Sequence, residues 1–62
     1  MSKSLRINAR VEIAPHYDLW MQGAKYGQIK DFDGEGNAWV KMDHPAVRKL
    51  VKIPNKDLKV LD

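Results

Sequence analysis

The fold is decided by residues 26–43, which read YGQIKDFDGEGNAWVKMD. Two runs of alternating character flank Asp33-Gly34-Glu35-Gly36-Asn37, a segment rich in residues that tolerate positive φ. Such a segment between alternating runs is typical of a β-hairpin. The stretch therefore predicts two antiparallel strands, over residues 26–32 and 37–43.

The side chains of these two strands sort onto opposite faces, because successive residues of a strand alternate. In the second strand, Trp39 and Lys41 are expected on the face away from the core, while the inward face carries Ala38, Val40 and Met42. In the first strand, Gly27 and Ile29 are expected to face inward. Phe32 breaks that alternation, so a bulge near Asp31 is predicted to turn its ring back towards the core.

Outside the hairpin, the chain predicts three more strands. Residues 5–13 alternate apolar and polar side chains and form the clearest strand pattern. Residues 15–25 follow neither the two-residue period of a strand nor the 3.6-residue period of a helix, and they are predicted to form a long ordered loop. A fourth strand is expected at 49–53, a helical or 3₁₀ turn at 54–58 and a short last strand at 59–61.

Five short strands with a long loop after the first and a helical turn before the last resemble an SH3-like barrel, including the KOW-like barrels. The resemblance is carried by residues 25–29, 39–43 and 54–61, which read KYGQI, WVKMD and PNKDLKVL. It implies an all-β, five-stranded, closed barrel as the fold class. A fold of this kind supports many activities, so the resemblance predicts topology and not chemistry.

Length and composition predict a small intracellular protein. The 62 residues are expected to form one domain over residues 1–62, with a core that supplies only about 3–5 kcal/mol, so self-association into a homo-oligomer would help. The absence of cysteine fits a reducing, cytoplasmic environment and excludes a thiolate metal site. No apolar run approaches the roughly 20 residues that span a bilayer, so no membrane partner is expected.

Charge and aromatic residues indicate a binding surface. The net charge is +3, from 11 basic and 8 acidic residues, and basic residues are concentrated near the C-terminus. Cations interleaved with aromatic rings are typical of surfaces that bind unpaired bases, or alternatively a peptide. We therefore predict a binding module for DNA or RNA, with a protein partner or self-assembly as the alternative. The predicted contact residues are Trp39, Trp20, Tyr26, Lys41, Arg48, Lys49 and Lys52.

Catalytic and metal-binding patterns are sparse. The two serines are Ser2 and Ser4, near the N-terminus, and there is no threonine. Two histidines do not define a metal site, and a calcium loop starting at Asp31 would place Met42 where a glutamate is needed. The sequence thus predicts no catalytic residues, no metal and no cofactor.

One enzymatic alternative comes from a second resemblance. Residues 44–54 and 57–61, HPAVRKLVKIP and DLKVL, resemble the C-terminal half of type II dihydrofolate reductases, SH3-like barrels that build one active pore from four copies. The pore strand Val-Gln-Ile-Tyr of that family corresponds here to Val51-Lys52-Ile53-Pro54. Lysine at position 52 and proline at position 54 replace polar groups that the family uses against cofactor and substrate.

Overall fold

The computed structural model describes residues 5–61, which form an all-β structure with five strands, one short helix and one 3₁₀ turn. The elements in chain order are β1 (Arg10–Ile13), α1 (Asp18–Met21), β2 (Tyr26–Phe32), β3 (Asn37–Met42), β4 (Val51–Pro54), the 3₁₀ turn (Asn55–Asp57) and β5 (Leu58–Val60). The predicted hairpin is confirmed, and so is the 3₁₀ turn before the last strand.

All five strands belong to one antiparallel sheet with the order β4-β3-β2-β1-β5. The strand β2 is central and is the longest, and it pairs with β1 on one side and with β3 on the other. Within residues 5–61, no ladder of hydrogen bonds joins the two outer strands β4 and β5, so the sheet is not closed into a barrel. The predicted closed barrel is therefore corrected to an open five-stranded sheet.

A bulge in β2 confirms the predicted change of parity before Phe32. Ile29 pairs with Val40, whereas Asp31 pairs with Trp39, so Lys30 is the extra residue of the ladder. An extra residue reverses which face the following side chains occupy. Phe32 consequently packs against the core as a partly buried ring.

A second irregularity shortens β1, which was predicted to begin at residue 5. Asn8 has a φ of 72°, and its N–H donates to Ile29 C=O (2.7 Å), while Ile29 N–H donates to Ala9 C=O (3.0 Å). Asn8 and Ala9 of one strand thus lie opposite the single residue Ile29 of the other. This is the arrangement of a bulge whose first residue has a left-handed backbone, a conformation that asparagine tolerates. Ile7 is 46% exposed in consequence, so the inward alternation starts at Ala9 and not at residue 5.

The core lies on the inner face of the sheet and consists of small and branched side chains. Gly27 and Ile29 of β2 are buried, as predicted. The fully buried apolar set is Ala9, Val11, Ile13, Ala24, Ile29, Ala38, Val40, Met42 and Ile53. Every predicted inward residue of β3 is in this set, which confirms the parity derived from the hairpin.

Further predicted boundaries differ from the structure, and β3 ends at Met42, one residue earlier than predicted. The loop over residues 15–25 contains the single helical turn α1, which has no side-chain cap. The strand β4 begins at Val51 and includes Pro54, which pairs with Asn37 as an edge-strand residue. The strand β5 covers Leu58–Val60, one residue earlier than predicted, because Leu58 pairs with Ile13 directly after the 3₁₀ turn.

Candidate functional site

The indole of Trp39 and the ammonium of Lys52 lie side by side on the outer face of β3 and the edge strand β4. Trp39 in β3 is the cross-strand partner of Lys52 in β4. The Lys52 Nζ atom lies 5.7 Å from the centroid of the indole ring, within the range of a cation–π contact. Trp39 is half-buried and lies outside the core cluster. The strand register thus fixes a ring and a cation side by side on the predicted outward face.

Two further predicted contact residues follow Trp39 on the same face. Lys41, two residues along β3, is exposed and is the cross-strand partner of Gln28. Tyr26, two residues before Gln28 in β2, is 44% exposed. The outer face of β2, β3 and β4 therefore presents two aromatic side chains and two lysines on three adjacent strands.

Arg48 and Lys49 lie in the connection that precedes β4, and both are exposed. Neither has a hydrogen bond or an ion pair within residues 5–61. The cation at Arg10 differs, because its guanidinium is paired with the carboxylate of Asp43. Arg48 and Lys49 are thus free for a partner, whereas Arg10 is already engaged.

Trp20 was predicted as a contact residue, and the structure places it in a different environment from Trp39. Trp20 belongs to α1, and its side chain is partly buried and packs against the core. Lys25 Nζ lies 5.1 Å from the ring centroid. The two tryptophans therefore have separate lysine partners, and Trp20 contributes to packing of the loop onto the sheet.

A groove runs past Trp20 at the end of the β1–β5 ladder. Its volume is about 360 Å³. The walls are apolar and come from Ile13, Ala14, Pro15, Trp20 and Leu58, while Glu12, Lys56, Asp57 and Lys59 supply its polar groups. Glu12 and Lys59 are cross-strand partners in this ladder. The groove combines an apolar wall with two lysines and two acidic residues.

The carboxylate of Asp57 connects the loop after β1 to the 3₁₀ turn. The Tyr17 hydroxyl donates a hydrogen bond of 2.6 Å to Asp57 Oδ2, and His16 Nε2 lies 3.9 Å from the same oxygen. The hydrogen bond to the Asp57 carboxylate, together with burial, raises the pKa of Tyr17 to about 12. The phenol is therefore a neutral donor across the physiological pH range, and this edge of the groove is fixed.

Asp33 organises the tip of the hairpin. Its Oδ1 accepts hydrogen bonds from Glu35 N–H (2.7 Å) and Asn37 N–H (3.1 Å), and its Oδ2 accepts one from the Asn37 side-chain amide (2.7 Å). The pKa of Asp33 is held below its usual value despite some burial. The largest cause is the hydrogen bond from the Asn37 amide, followed by the backbone N–H groups and the nearby charge of Lys52. The Lys52 Nζ lies 3.8 Å from Asp33 Oδ2, so the cation beside Trp39 is also anchored to the tip.

The aromatic and basic face was predicted from strand alternation, but the groove was not. Its two walls come from residues about 40 positions apart, and nothing in a single sequence indicates that they meet. Three of the aromatic side chains have separate partners, since Tyr17 contacts Asp57, Trp20 contacts Lys25 and Trp39 contacts Lys52.

Metal-holding groups of side chains and membrane-spanning helices are absent from the part of the chain that the structure describes. Residues 5–61 contain no group of three or more histidine, aspartate or glutamate side chains that could hold a metal ion. None of the helical segments in this range has the length and apolar character needed to cross a membrane. At the two positions that depart from the reductase pore strand, Lys52 is held by Trp39 and Asp33, and Pro54 is the N-cap of the 3₁₀ turn.

No protein-family model matches the chain, and neither a curated protein nor a solved structure shows a significant match.

Proposed function

We propose that the protein is a small, non-catalytic binding module whose outer sheet face binds single-stranded nucleic acid. The observation that carries the proposal is the Trp39–Lys52 pair, in which an indole and an ammonium lie 5.7 Å apart on a solvent-facing sheet surface. A base stacks on an aromatic ring while a neighbouring lysine contacts the phosphate. Lys41 and Tyr26 extend the same chemistry along the face.

The charge distribution supports a nucleic acid over a protein as partner. Lys41, Arg48 and Lys49 are exposed and have no ion-pair partner within residues 5–61, and they lie near the Trp39–Lys52 pair in sequence or register. Each nucleotide carries a negatively charged phosphate, and lysine or arginine side chains that neutralise phosphates release the counterions condensed on the nucleic acid. Few groups on this face are suited to reading base edges, so weak sequence preference is expected.

We also propose that the sheet is an open member of the SH3-like architecture. Three features support this assignment: the strand order, in which β1 to β4 form a meander and β5 pairs with β1, the long loop after β1, and the 3₁₀ turn before β5. The bulge at Lys30 in the central strand supports it further, because a bulge increases the local bend that curved sheets require. Small sheets of this kind can present one outer face to a ligand while the inner face holds the core.

The binding proposal is tested by fluorescence titration with oligodeoxythymidylate and oligouridylate. In a Trp20→Phe variant, Trp39 is the remaining tryptophan, and stacking of a base is expected to quench its emission. Affinity should fall steeply between about 50 and 200 mM salt, because most of it comes from counterion release. An absence of quenching and of any binding at low salt would refute the proposal and favour a protein partner.

A pair of charge-matched variants separates this face from the overall charge. Lys41→Gln with Lys52→Gln lowers the net charge by two, and so does Lys56→Gln with Lys59→Gln on the groove. The first pair should lower the magnitude of the logarithmic salt slope by roughly 1.4, since each phosphate contact to a single strand contributes about 0.7. The second pair should leave the slope nearly unchanged. Equal losses in both variants would mean that only net charge matters.

A further inference from the structure

The groove past Trp20 lies at the end of the β1–β5 ladder, where its Glu12 is the cross-strand partner of Tyr26, and it has the composition of a small-molecule site. Its volume of about 360 Å³ lies at the lower end of the range in which ligands of modest size are bound. The walls formed by Ile13, Pro15 and Leu58 can bury an apolar group, and Trp20 adds an aromatic side chain. An apolar pocket with few polar groups around it is the usual form of a ligand site.

The charged groups of the groove are of both signs and mostly uncommitted. Lys56 and Lys59 are exposed, and neither ammonium has a hydrogen-bond or ion-pair partner in residues 5–61. Glu12 is half-buried and likewise has none in that range. The Asp57 carboxylate accepts a hydrogen bond from the Tyr17 hydroxyl. The groove can thus contact both a negative and a positive group of one ligand, and it has no excess of either sign.

We propose that this groove binds a zwitterionic small molecule with an apolar side chain, of the class of the α-amino acids. Lys56 and Lys59 contact the carboxylate, Glu12 contacts the ammonium, and the side chain lies against Trp20, Pro15 and Leu58. A ligand with one charge alone would leave either the two ammonium groups or the Glu12 carboxylate without a partner. A zwitterion with an apolar side chain therefore matches both the charged residues and the apolar walls of the groove.

The proposal is tested with L-phenylalanine and three analogues that remove one charge or both. N-acetyl-L-phenylalanine lacks the ammonium, L-phenylalaninamide lacks the carboxylate, and N-acetyl-L-phenylalaninamide lacks both. Chemical-shift titration of the ¹⁵N-labelled full chain should show the largest changes for L-phenylalanine at residues 12–15, 20 and 56–59. Each single blocking should weaken binding by about two- to fivefold, as expected for exposed ion pairs.

Two variants assign the charges to the groove. In Lys56→Gln with Lys59→Gln, the preference for L-phenylalanine over L-phenylalaninamide should disappear. In Glu12→Gln, the preference over N-acetyl-L-phenylalanine should disappear, and the isosteric change keeps the shape of the side chain. Lys41→Gln with Lys52→Gln is the charge-matched control and should leave both preferences intact.

Several results would overturn the proposal. Stronger binding of N-acetyl-L-phenylalanine would mean a simple anion site, and stronger binding of L-phenylalaninamide would mean a cation site. Equal binding of all four compounds would mean that the groove recognises apolar surface alone. Shift changes located elsewhere, or none up to the solubility limit of L-phenylalanine, would remove the site altogether. None of these outcomes bears on nucleic-acid binding by the outer sheet face.

Discussion

The hydroxyl of Tyr17 is a single group whose protonation is linked to folding. It donates to the Asp57 carboxylate across 40 positions of sequence, and its pKa is raised from 10.0 to about 12. A pKa that is higher in the folded state gives stability that is present in full below pH 10 and is lost as the pH rises through 12. We expect the free energy of unfolding to decline over this window. Tyr17→Phe should abolish this component of the decline and cost about 1 kcal/mol at neutral pH.

The measurement is urea denaturation between pH 7 and 12, and Tyr26→Phe is the matched control. Tyr26 is exposed, and its hydroxyl has no hydrogen-bond partner within residues 5–61, so its replacement should leave the alkaline decline in place. If Tyr17→Phe and the parent declined in parallel, the Tyr17–Asp57 bond would not contribute to folding in solution.

At Asp33 the linkage has the opposite sign. Its pKa is lowered from 3.8, chiefly by the Asn37 amide and the Glu35 N–H. Its stabilising effect is therefore present above the unfolded pKa and is lost as the pH falls through the lower, folded pKa. We expect Asp33→Asn to flatten part of the acid limb of a pH–stability curve, measured by urea denaturation from pH 7 to 2. Glu35→Gln, at an exposed position of the same turn, should retain the limb of the parent, and a parent-like limb in Asp33→Asn would contradict the assignment.

Among the elements, the β2–β3 pair depends on Gly27. A Cβ atom at this position would lie 2.7 Å from the Lys41 carbonyl oxygen and 2.7 Å from Val40 Cγ1. The carbonyl belongs to the backbone of the neighbouring strand, so the contact is relieved only by moving β3 away from β2. We expect Gly27→Ala to destabilise the protein by about 1–3 kcal/mol, as overpacking does.

Thermal denaturation followed by circular dichroism measures that cost, and Gly34→Ala is the control for a general effect of removing glycine. No atom lies within 4 Å of a Cβ at Gly34, but its φ of +80° makes alanine strained there, so a smaller loss without displacement of strands is expected. Amide exchange distinguishes the two. Gly27→Ala should speed the exchange of backbone amides near the Gly27–Met42 pair of β2 and β3. Unchanged amide exchange and unchanged stability would show that β3 accommodates the methyl group.

How far an element can be predicted depends on whether its signal is local. Alternation and the glycine-rich turn predicted β2, β3 and their bulge, because each depends on neighbouring residues. The start of β1 was mispredicted, since Asn8 adopts a left-handed φ where the alternation alone favours a continuous strand. The helix α1 has no capping side chain and only four residues, so it left no periodic signal. To predict the Trp39–Lys52 pair, one needs only the register between β3 and β4. To predict the groove, one needs the contact between residues 12–20 and 56–59.

For the molecule as a whole, the balance between its core and its exposed apolar surface decides whether it stands alone. The core consists largely of alanine, valine and isoleucine, and no disulfide supports it. Large apolar side chains remain exposed at Ile7, Met21, Tyr26, Leu50 and Leu61. Burying part of that surface between two copies would add stability that a core of this size does not supply.

We therefore expect the chain to self-associate, with a melting temperature that rises with protein concentration, because association stabilises the folded state by mass action. Sedimentation from micromolar to millimolar concentration measures the association directly. Leu50 is 43% exposed and close to β4, so Leu50→Gln should weaken the association. Met21 in α1 is 85% exposed, and Met21→Gln tests whether the interface includes the loop after β1. A monomer at every concentration, with a constant melting temperature, would mean that the open sheet is stable alone. It would also exclude any site assembled from several copies, including a reductase-like pore.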